Sequence, residues 1–266
     1  MKLIQVSDLH FVPPGTRLFG IDPRAHLAAA IEDINAQHGD AELCLFTGDL
    51  ADHGDPRAYA ALGETLAGLR LPYRLLIGNH DQRENFIRAF PDVPRDDEGF
   101  VQSVVRTAAG DLMLLDTHEP ETGAGSYCAA RQDWLRARLA EAAGRPVYIF
   151  MHHPPFDIGI PSLDRIRLLE PEGFAEALEG ADVRHIFFGH VHRPVSGSWR
   201  GIPWSALRST VHQVPLDFGI KRSIPYSLEP PAYNVILISD GLTVVHHHDY
   251  MNREVIPPGT ERYSAE

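Results

Sequence analysis

Cysteine is almost missing. Cys44 and Cys128 are the only two in 266 residues, too few for a disulfide framework. No Cys-x-x-Cys occurs, so any metal site must be built from oxygen and nitrogen. Cys44 lies inside "AELCLFT", where a small buried hydrophobe is the expected role. No apolar run approaches the ~18 residues of a membrane span. "MKLIQVSDLH" enters a strand pattern at once, without the charged start, apolar stretch and cleavage site of a signal peptide. A cytoplasmic protein with no membrane contact is the expectation. Basic charge is scarce: 24 Lys and Arg stand against 36 Asp and Glu, a net charge of −12. No Lys/Arg block stands out, which argues against a nucleic-acid polymer as partner, and the acidity reads as a solvated surface. Repeats, low-complexity tracts and a clear interdomain linker are also lacking. The length suits one large domain, or one domain with a lid.

What is plentiful is histidine. Fifteen are present, clustered beside glycines and aspartates, and 21 prolines with 22 glycines imply many turns and long loops. Short apolar runs alternate with helical patterns. "DPRAHLAAAIEDINAQ" (22–37) opens with Asp22 as N-cap and Pro23 at the first helical position, and Leu27, Ile31 and Ile34 share one face. Tyr59, Leu62, Leu66 and Leu69 mark a second helix, and a third is expected over about 129–143. "FVQSVVR" and "DLMLLDT" read as a hairpin around Gly110. "NVILIS" and "GLTVVHHH", joined at Asp240-Gly241, read as a closing hairpin. Between about 195 and 231 the chain has little periodicity and much Pro, Trp and Tyr, which suggests short strands and an irregular flap.

Five apolar strands end in polar residues. "KLIQVS" runs into Asp8, "AELCLFT" into Gly48-Asp49, "YRLLI" into Gly78-Asn79-His80-Asp81, "PVYIFM" into His152-His153, and "VRHIFF" into Gly189-His190-Val191-His192. The alternation implies an α/β fold with buried, partly parallel strands. Ligands of open α/β sheets sit outside the carboxyl ends of the strands, so these residues should converge on one crevice. Carboxylate, amide oxygen and imidazole suit Mn, Fe, Co or Zn rather than thiolate-seeking ions. Seven such ligands are too many for one tetrahedral ion, and two ions sharing a carboxylate accommodate them.

Asp8-x-His10, Gly48-Asp49, Gly78-Asn79-His80-Asp81, His152 and Gly189-His190-x-His192, in that order, resemble the signature of the calcineurin-like metallophosphoesterase superfamily. The blocks span residues 8 to 192, and five of them in order, each after a strand, make a specific signal. The resemblance implies a four-layer αββα sandwich, two mixed β-sheets flanked by helices, with a small cap. On that pattern residues 1–205 form the core, 206–231 a cap or flap, and 232–266 a C-terminal hairpin and tail. It implies that Asp8, His10, Asp49 and His192 hold one divalent ion. Asp49, Asn79, His152 and His190 hold the other, with Asp49 bridging. Two such ions about 3.5–4 Å apart can clamp a phosphoryl oxygen and lower the pKa of a shared water from 15.7 to about 7. The hydroxide would then attack phosphorus in line.

The same pattern implies that His80 touches the phosphate or protonates the leaving oxygen. Asp81 is expected to orient that ring, to cap the helix of "QRENFIRAF", or both. Asp52 is expected behind the ligands. His153, next to a ligand on an extended strand, should face away from the ions. His246, His247 and His248 alternate between two faces and are expected to hold no metal.

"SDLH", "GDLAD", "PYRLLIGNHD", "FMHHPP", "GHVH" and "TVHQVP" are similar to the class III cyclic-nucleotide phosphodiesterases and their bacterial glycerophosphodiesterase relatives. The similarity covers most of the chain and thins over the last 40 residues. It implies that His212 approaches the substrate. The function expected is hydrolysis of small phosphodiesters, 3′,5′-cyclic nucleotides or glycerophosphodiesters, by a chain that forms a homo-oligomer or acts alone. A broad-specificity phosphomonoesterase is the alternative within enzymes, and a metal-free interaction scaffold the alternative outside them.

Overall fold

In the computed structural model, which describes residues 1–219 and 223–251, two β-sheets lie face to face between helices. The first holds β1 (Lys2–Val6), β2 (Leu43–Thr47), β3 (Tyr73–Leu76), β10 (Ala232–Ser239) and β11 (Leu242–Asp249) in the order β11-β10-β1-β2-β3. The second holds β4 (Ser103–Arg106), β5 (Asp111–Leu114), β6 (Val147–Met151), β7 (Val183–Phe188), β8 (Ser196–Trp199) and β9 (Ile202–Ala206), ordered β4-β5-β6-β7-β9-β8. Parallel pairings join β1 to β2 and β2 to β3, and likewise β5, β6, β7 and β9, while β10 runs antiparallel to β1 and β11, β4 to β5, and β8 to β9. Both sheets are therefore mixed.

Side-chain alternation explains the layering. In β1, Leu3 faces the gap between the sheets while Ile4 and Val6 face the helices. In β2, Leu43 and Leu45 point inward and Cys44 and Phe46 outward. In the second sheet Leu112, Leu114, Tyr148 and Phe150 face the gap, and Met113, Val147, Ile149 and Met151 the other side. A strand buried on both faces must be apolar at successive positions, as "LCLF" and "VYIF" are. Phe150 and Phe187 stack at 4.6 Å in the middle layer. Helices α1 (Pro23–Gln37) and α2 (Pro56–Leu66) cover the first sheet. Helices α4 (Ala129–Ala142), α5 (Pro161–Asp164) and α6 (Glu172–Ala177) cover the second, and the short α3 (Arg83–Ala89) follows β3. The four-layer expectation is met.

Asp22 caps α1, accepting from the backbone N–H groups of Arg24 and Ala25, with Pro23 at the first turn. β10 and β11 pair through a two-residue turn, Ser239 opposite Leu242. Residues 207–219 and 223–231 form no helix or named strand and are drawn together where Gln213 pairs with Ser227. Residues 220–222 of the expected cap and 252–266 of the expected tail lie outside the described residues. His248 contacts Asp33 of α1 at 2.9 Å. No helix among the described residues is long and apolar enough to cross a membrane.

Candidate metal centre

The loops after β1 and β2 run on side by side beyond the strands. Asp8 N–H donates to Gly48 O (3.0 Å), His10 N–H to Asp49 O (2.9 Å) and Asp52 N–H to Phe11 O (2.9 Å). To turn their side chains into the crevice, Asp8, His10, Asp49, His190 and His192 all adopt positive φ, between 44° and 66°. Such backbone is costly for residues with a Cβ and collects at functional sites. Two glycines are required by close approach. A Cβ on Gly48 would stand 2.3 Å from His152 Nδ1, and one on Gly78 2.3 Å from Asp49 Oδ1.

All seven residues expected as ligands meet at this crevice. His152 Nδ1 donates to Thr47 O at 2.8 Å, and His192 Nδ1 to His212 O at 2.8 Å. A carbonyl can only accept, so in each neutral ring Nε2 is a bare acceptor. His10 Nδ1 lies 3.1 Å from Asp52 Oδ1, which leaves its Nε2 in the same state. These bare nitrogens face one another and face carboxylates. His10 Nε2 is 3.1 Å from His192 Nε2, and His192 Nε2 is 3.3 Å from Asp8 Oδ1. Asp49 Oδ2 lies 3.3 Å from His152 Nε2 and 3.8 Å from His10 Nε2, between the two halves. Asn79 Oδ1 completes the second half, 2.9 Å from His190 Nδ1 and 3.2 Å from His152 Nε2. Asp8 Oδ2 and His190 Nε2 are buried with no partner.

Acceptors cannot crowd to 3 Å in a dry site unless protons or cations lie between them. The shifted ionisations express the same demand. Burial opposes the charge on Asp8, yet the adjacent His192 ring outweighs it and brings the carboxyl down to about 2. Burial likewise opposes a charged His152, and Asp49 outweighs it, lifting the ring to about 9. Asp49 is held well below the usual carboxylate range, the His152 ring overcoming its burial. Two carboxylates, an amide oxygen and four imidazoles fit two divalent ions of the Mn, Fe, Co or Zn type.

Two expectations need correction. Asp81 neither orients His80 nor caps α3, whose N-cap is Gln82 with no side-chain bond. Its carboxylate accepts from Gly78 N–H (2.8 Å), Ala51 N–H (3.0 Å), Leu50 N–H (3.1 Å) and Tyr59 O–H (2.8 Å). It turns back under the loop because four donors converge there and only a carboxylate accepts from them all. His80 is held instead by Asp52: Nδ1 donates to the Asp52 carbonyl at 2.8 Å, with Asp52 Oδ1 at 3.4 Å. His153 does not face away. β6 ends at Met151, so strand alternation no longer governs it. Its ring packs 4.6 Å from that of His190, buried, with Nδ1 2.8 Å from Thr117 Oγ1.

The cluster forms the floor of a 160 Å³ pocket that His80 and His212 also border. Burial disfavours charge on His80, but Asp49 and then Asp52 outweigh it and raise the ring to about 10. Burial, with His192 and His10 beside it, pushes His212 down to about 2. His80 is thus suited to carry a proton, and His212 to act neutral. The pocket walls, Phe19, Leu163, Ile166, Val214, Ile224 and Tyr226, were not singled out in the sequence. They belong to four separate segments, and apart from Val214, inside "TVHQVP", no local pattern ties them to the motifs. On the other side of Asn79 and His80 opens a polar groove of 740 Å³.

A sequence model of the calcineurin-like phosphoesterase family matches residues 1–194. A probable cyclic nucleotide phosphodiesterase of Rhodopseudomonas palustris is 44% identical over 257 residues, covering 94% of this chain and 93% of the relative. A probable glycerophosphodiester phosphodiesterase, GpdQ, of Arcobacter nitrofigilis is 29% identical over 95% of this chain and 94% of its own. Among solved structures, a dimetal phosphatase of Danio rerio shares the fold with a TM-score of 0.71 at 14% identity, covering 94% of this chain and 96% of its own. With the motifs in one crevice and the match running through all five of them, the chain belongs to the calcineurin-like phosphoesterase family.

Proposed function

We propose that this protein is a metal-dependent phosphodiesterase that hydrolyses small diesters, 3′,5′-cyclic nucleotides or glycerophosphodiesters, at a dinuclear centre. The observation that carries the reading is the crowding of bare acceptors, with His10 Nε2 and His192 Nε2 only 3.1 Å apart. Asp8, His10, Asp49 and His192 would hold one ion, and Asp49, Asn79, His152 and His190 the other. Two divalent ions supply Lewis acidity and a nucleophilic water at neutral pH. The names of the relatives support the diester class.

The chain's own groups then divide the work. Asp52 holds His80 Nδ1, so Nε2 of His80 is free to give its proton to the departing oxygen. His212, neutral, offers a hydrogen bond to substrate without adding charge. A diester has two ester arms, and two openings, the pocket and the groove, both border Asn79 and His80. That arrangement favours a diester over a monoester. The sequence is acidic, with a net charge of −12, and holds no Lys/Arg block, so a nucleic-acid polymer is not the substrate we propose.

The test pairs metal analysis with rates on bis- and mono-p-nitrophenyl phosphate, then on cAMP, cGMP, glycerophosphocholine and glycerophosphoethanolamine. Two equivalents of metal and faster diester hydrolysis are expected. Full turnover of monoesters alone would replace the reading with a phosphomonoesterase. Well under one equivalent in metal-replete buffer would revive the scaffold.

A further inference from the structure

Phe19 occupies a backbone conformation that aromatic residues avoid. Leu18 and Ile21 exchange both backbone hydrogen bonds at 2.9 Å, closing a two-residue turn. Its central residues, Phe19 and Gly20, have φ of 51° and 82°. Positive φ at both central positions is the type I′ arrangement, which favours Asn, Asp or Gly. A strained residue kept in place points to a role for its side chain. Burial is not that role, because Phe19 is 42% exposed.

The ring instead stacks on Tyr226, centroids 3.9 Å apart and planes at 22°, and Tyr226 is itself 52% exposed. The rings of His212 and Phe19 meet edge to face, with centroids 4.8 Å apart. His212 lies 4.6 Å from His192 and 5.0 Å from His10. An aromatic wall thus climbs unbroken from the metal ligands to solvent, joining residues 207 positions apart in sequence. Beside it stand Leu163, Ile166, Val214 and Ile224. Among the described residues lining this pocket there is no Lys, Arg or Glu, and the single Asp is Asp49 on the floor. The groove beyond His80 differs, with Glu84 and Glu121 on its walls.

A wall of this kind suits an ester arm that is planar and uncharged. A nucleobase stacks on the outer face of such a pair, since every base has a π-face. A quaternary ammonium needs rings set around it as a cage, whereas Phe19 and Tyr226 cover one another's inner faces. We propose that Phe19 and Tyr226 are the specificity-determining residues of this site, stacking the base of a 3′,5′-cyclic nucleotide whose phosphate lies at the metal cluster. The proposal rests on the diesterase reading and narrows it to one of its two substrate classes.

Phe19→Asn and Tyr226→Leu test it in the metal-loaded protein. Asn is better suited than Phe to positive φ, so Phe19→Asn should fold with Tm unchanged or raised. The ratio of kcat/KM for cAMP to that for glycerophosphoethanolamine should fall about tenfold in each variant. Quenching of 2-aminopurine riboside 3′,5′-cyclic monophosphate fluorescence, which reports stacking directly, should need correspondingly more protein. An unchanged ratio and unchanged quenching in both variants would overturn the proposal, as would a wild-type preference for glycerophosphocholine over cAMP. If metal-loaded wild type hydrolyses no diester, the diesterase reading fails, and the quenching titration alone then decides for or against the wall.

Discussion

Asp52 serves two rings at once. One carboxylate oxygen lies 3.1 Å from His10 Nδ1 and 3.4 Å from His80 Nδ1, and its backbone carbonyl takes the His80 proton at 2.8 Å. Burial opposes its charge, but the hydrogen bonds of His10 and His80 hold it far below the usual carboxylate range. It therefore fixes the tautomer of a metal ligand and the aim of a proton donor together. Loss of the donor alone, in His80→Ala, is expected to lower turnover by about 10²–10⁴-fold. Metal content should stay at two equivalents, and the loss should be greatest for diesters with poor leaving groups. Asp52→Asn keeps one acceptor oxygen but removes the negative charge that strengthens both hydrogen bonds. Metal affinity should fall by about 10–100-fold along with activity, measured by competition with a metallochromic chelator. A variant that kept its affinity while losing activity would confine Asp52 to holding His80.

At the scale of elements, the site is a set of loops held at the tips of two sheets, and Asp81 is the tie beneath them. Its carboxylate joins the loop after β3 to Leu50 and Ala51 after β2 and to Tyr59 of α2. Asp81→Asn sets an NH₂ group against these donors and is expected to cost about 1–3 kcal/mol, read from urea denaturation of the metal-free protein. A change within about 0.5 kcal/mol, the range of ordinary surface substitutions, would show that the loops stand without it. This residue also marks where reading the sequence stops. "GNHD" places Asp81 beside His80, and adjacency suggested a shared hydrogen bond. The partner is Asp52, 28 residues away, because the turn after β3 sends neighbouring side chains to opposite sides of the loop. His153 teaches the same lesson: alternation holds within a strand and has lapsed two residues past its end.

At the scale of the whole molecule, a cluster of buried acceptors makes the metal-free fold depend on protons. His152 is raised from 6.5 to about 9, Asp49 outweighing burial. A raised pKa in the folded state means that the charged ring stabilises the fold fully below pH 6.5. That contribution is lost as pH rises through about 9. A divalent ion must displace this proton, so its affinity should climb across the same window while the metal-free Tm falls. Isothermal titration with Mn or Zn at several pH values checks the first, and thermal unfolding in EDTA the second. A metal affinity flat from pH 6.5 to 9 would contradict the proton on His152. At free metal of about 1,000 times Kd, each ion should add about 4 kcal/mol to stability, visible as a higher Tm than in EDTA.

Local chemistry settled what could be read from the sequence. Apolar runs of "LCLF" type, buried on both faces, declare strands of an inner sheet, and Asp, Asn and His at their ends declare a crevice. Each of those features lies within a few residues of backbone, where sterics and side-chain period act. Only the tertiary structure decided which groups touch. It seated β10 beside β1, with Lys2 opposite Leu237. It gave His80 to Asp52 rather than Asp81, and brought Phe19 against Tyr226 to wall the pocket. Such contacts join residues tens to hundreds of positions apart, and their partners are chosen by how loops pack on the finished sheets, which no local pattern encodes.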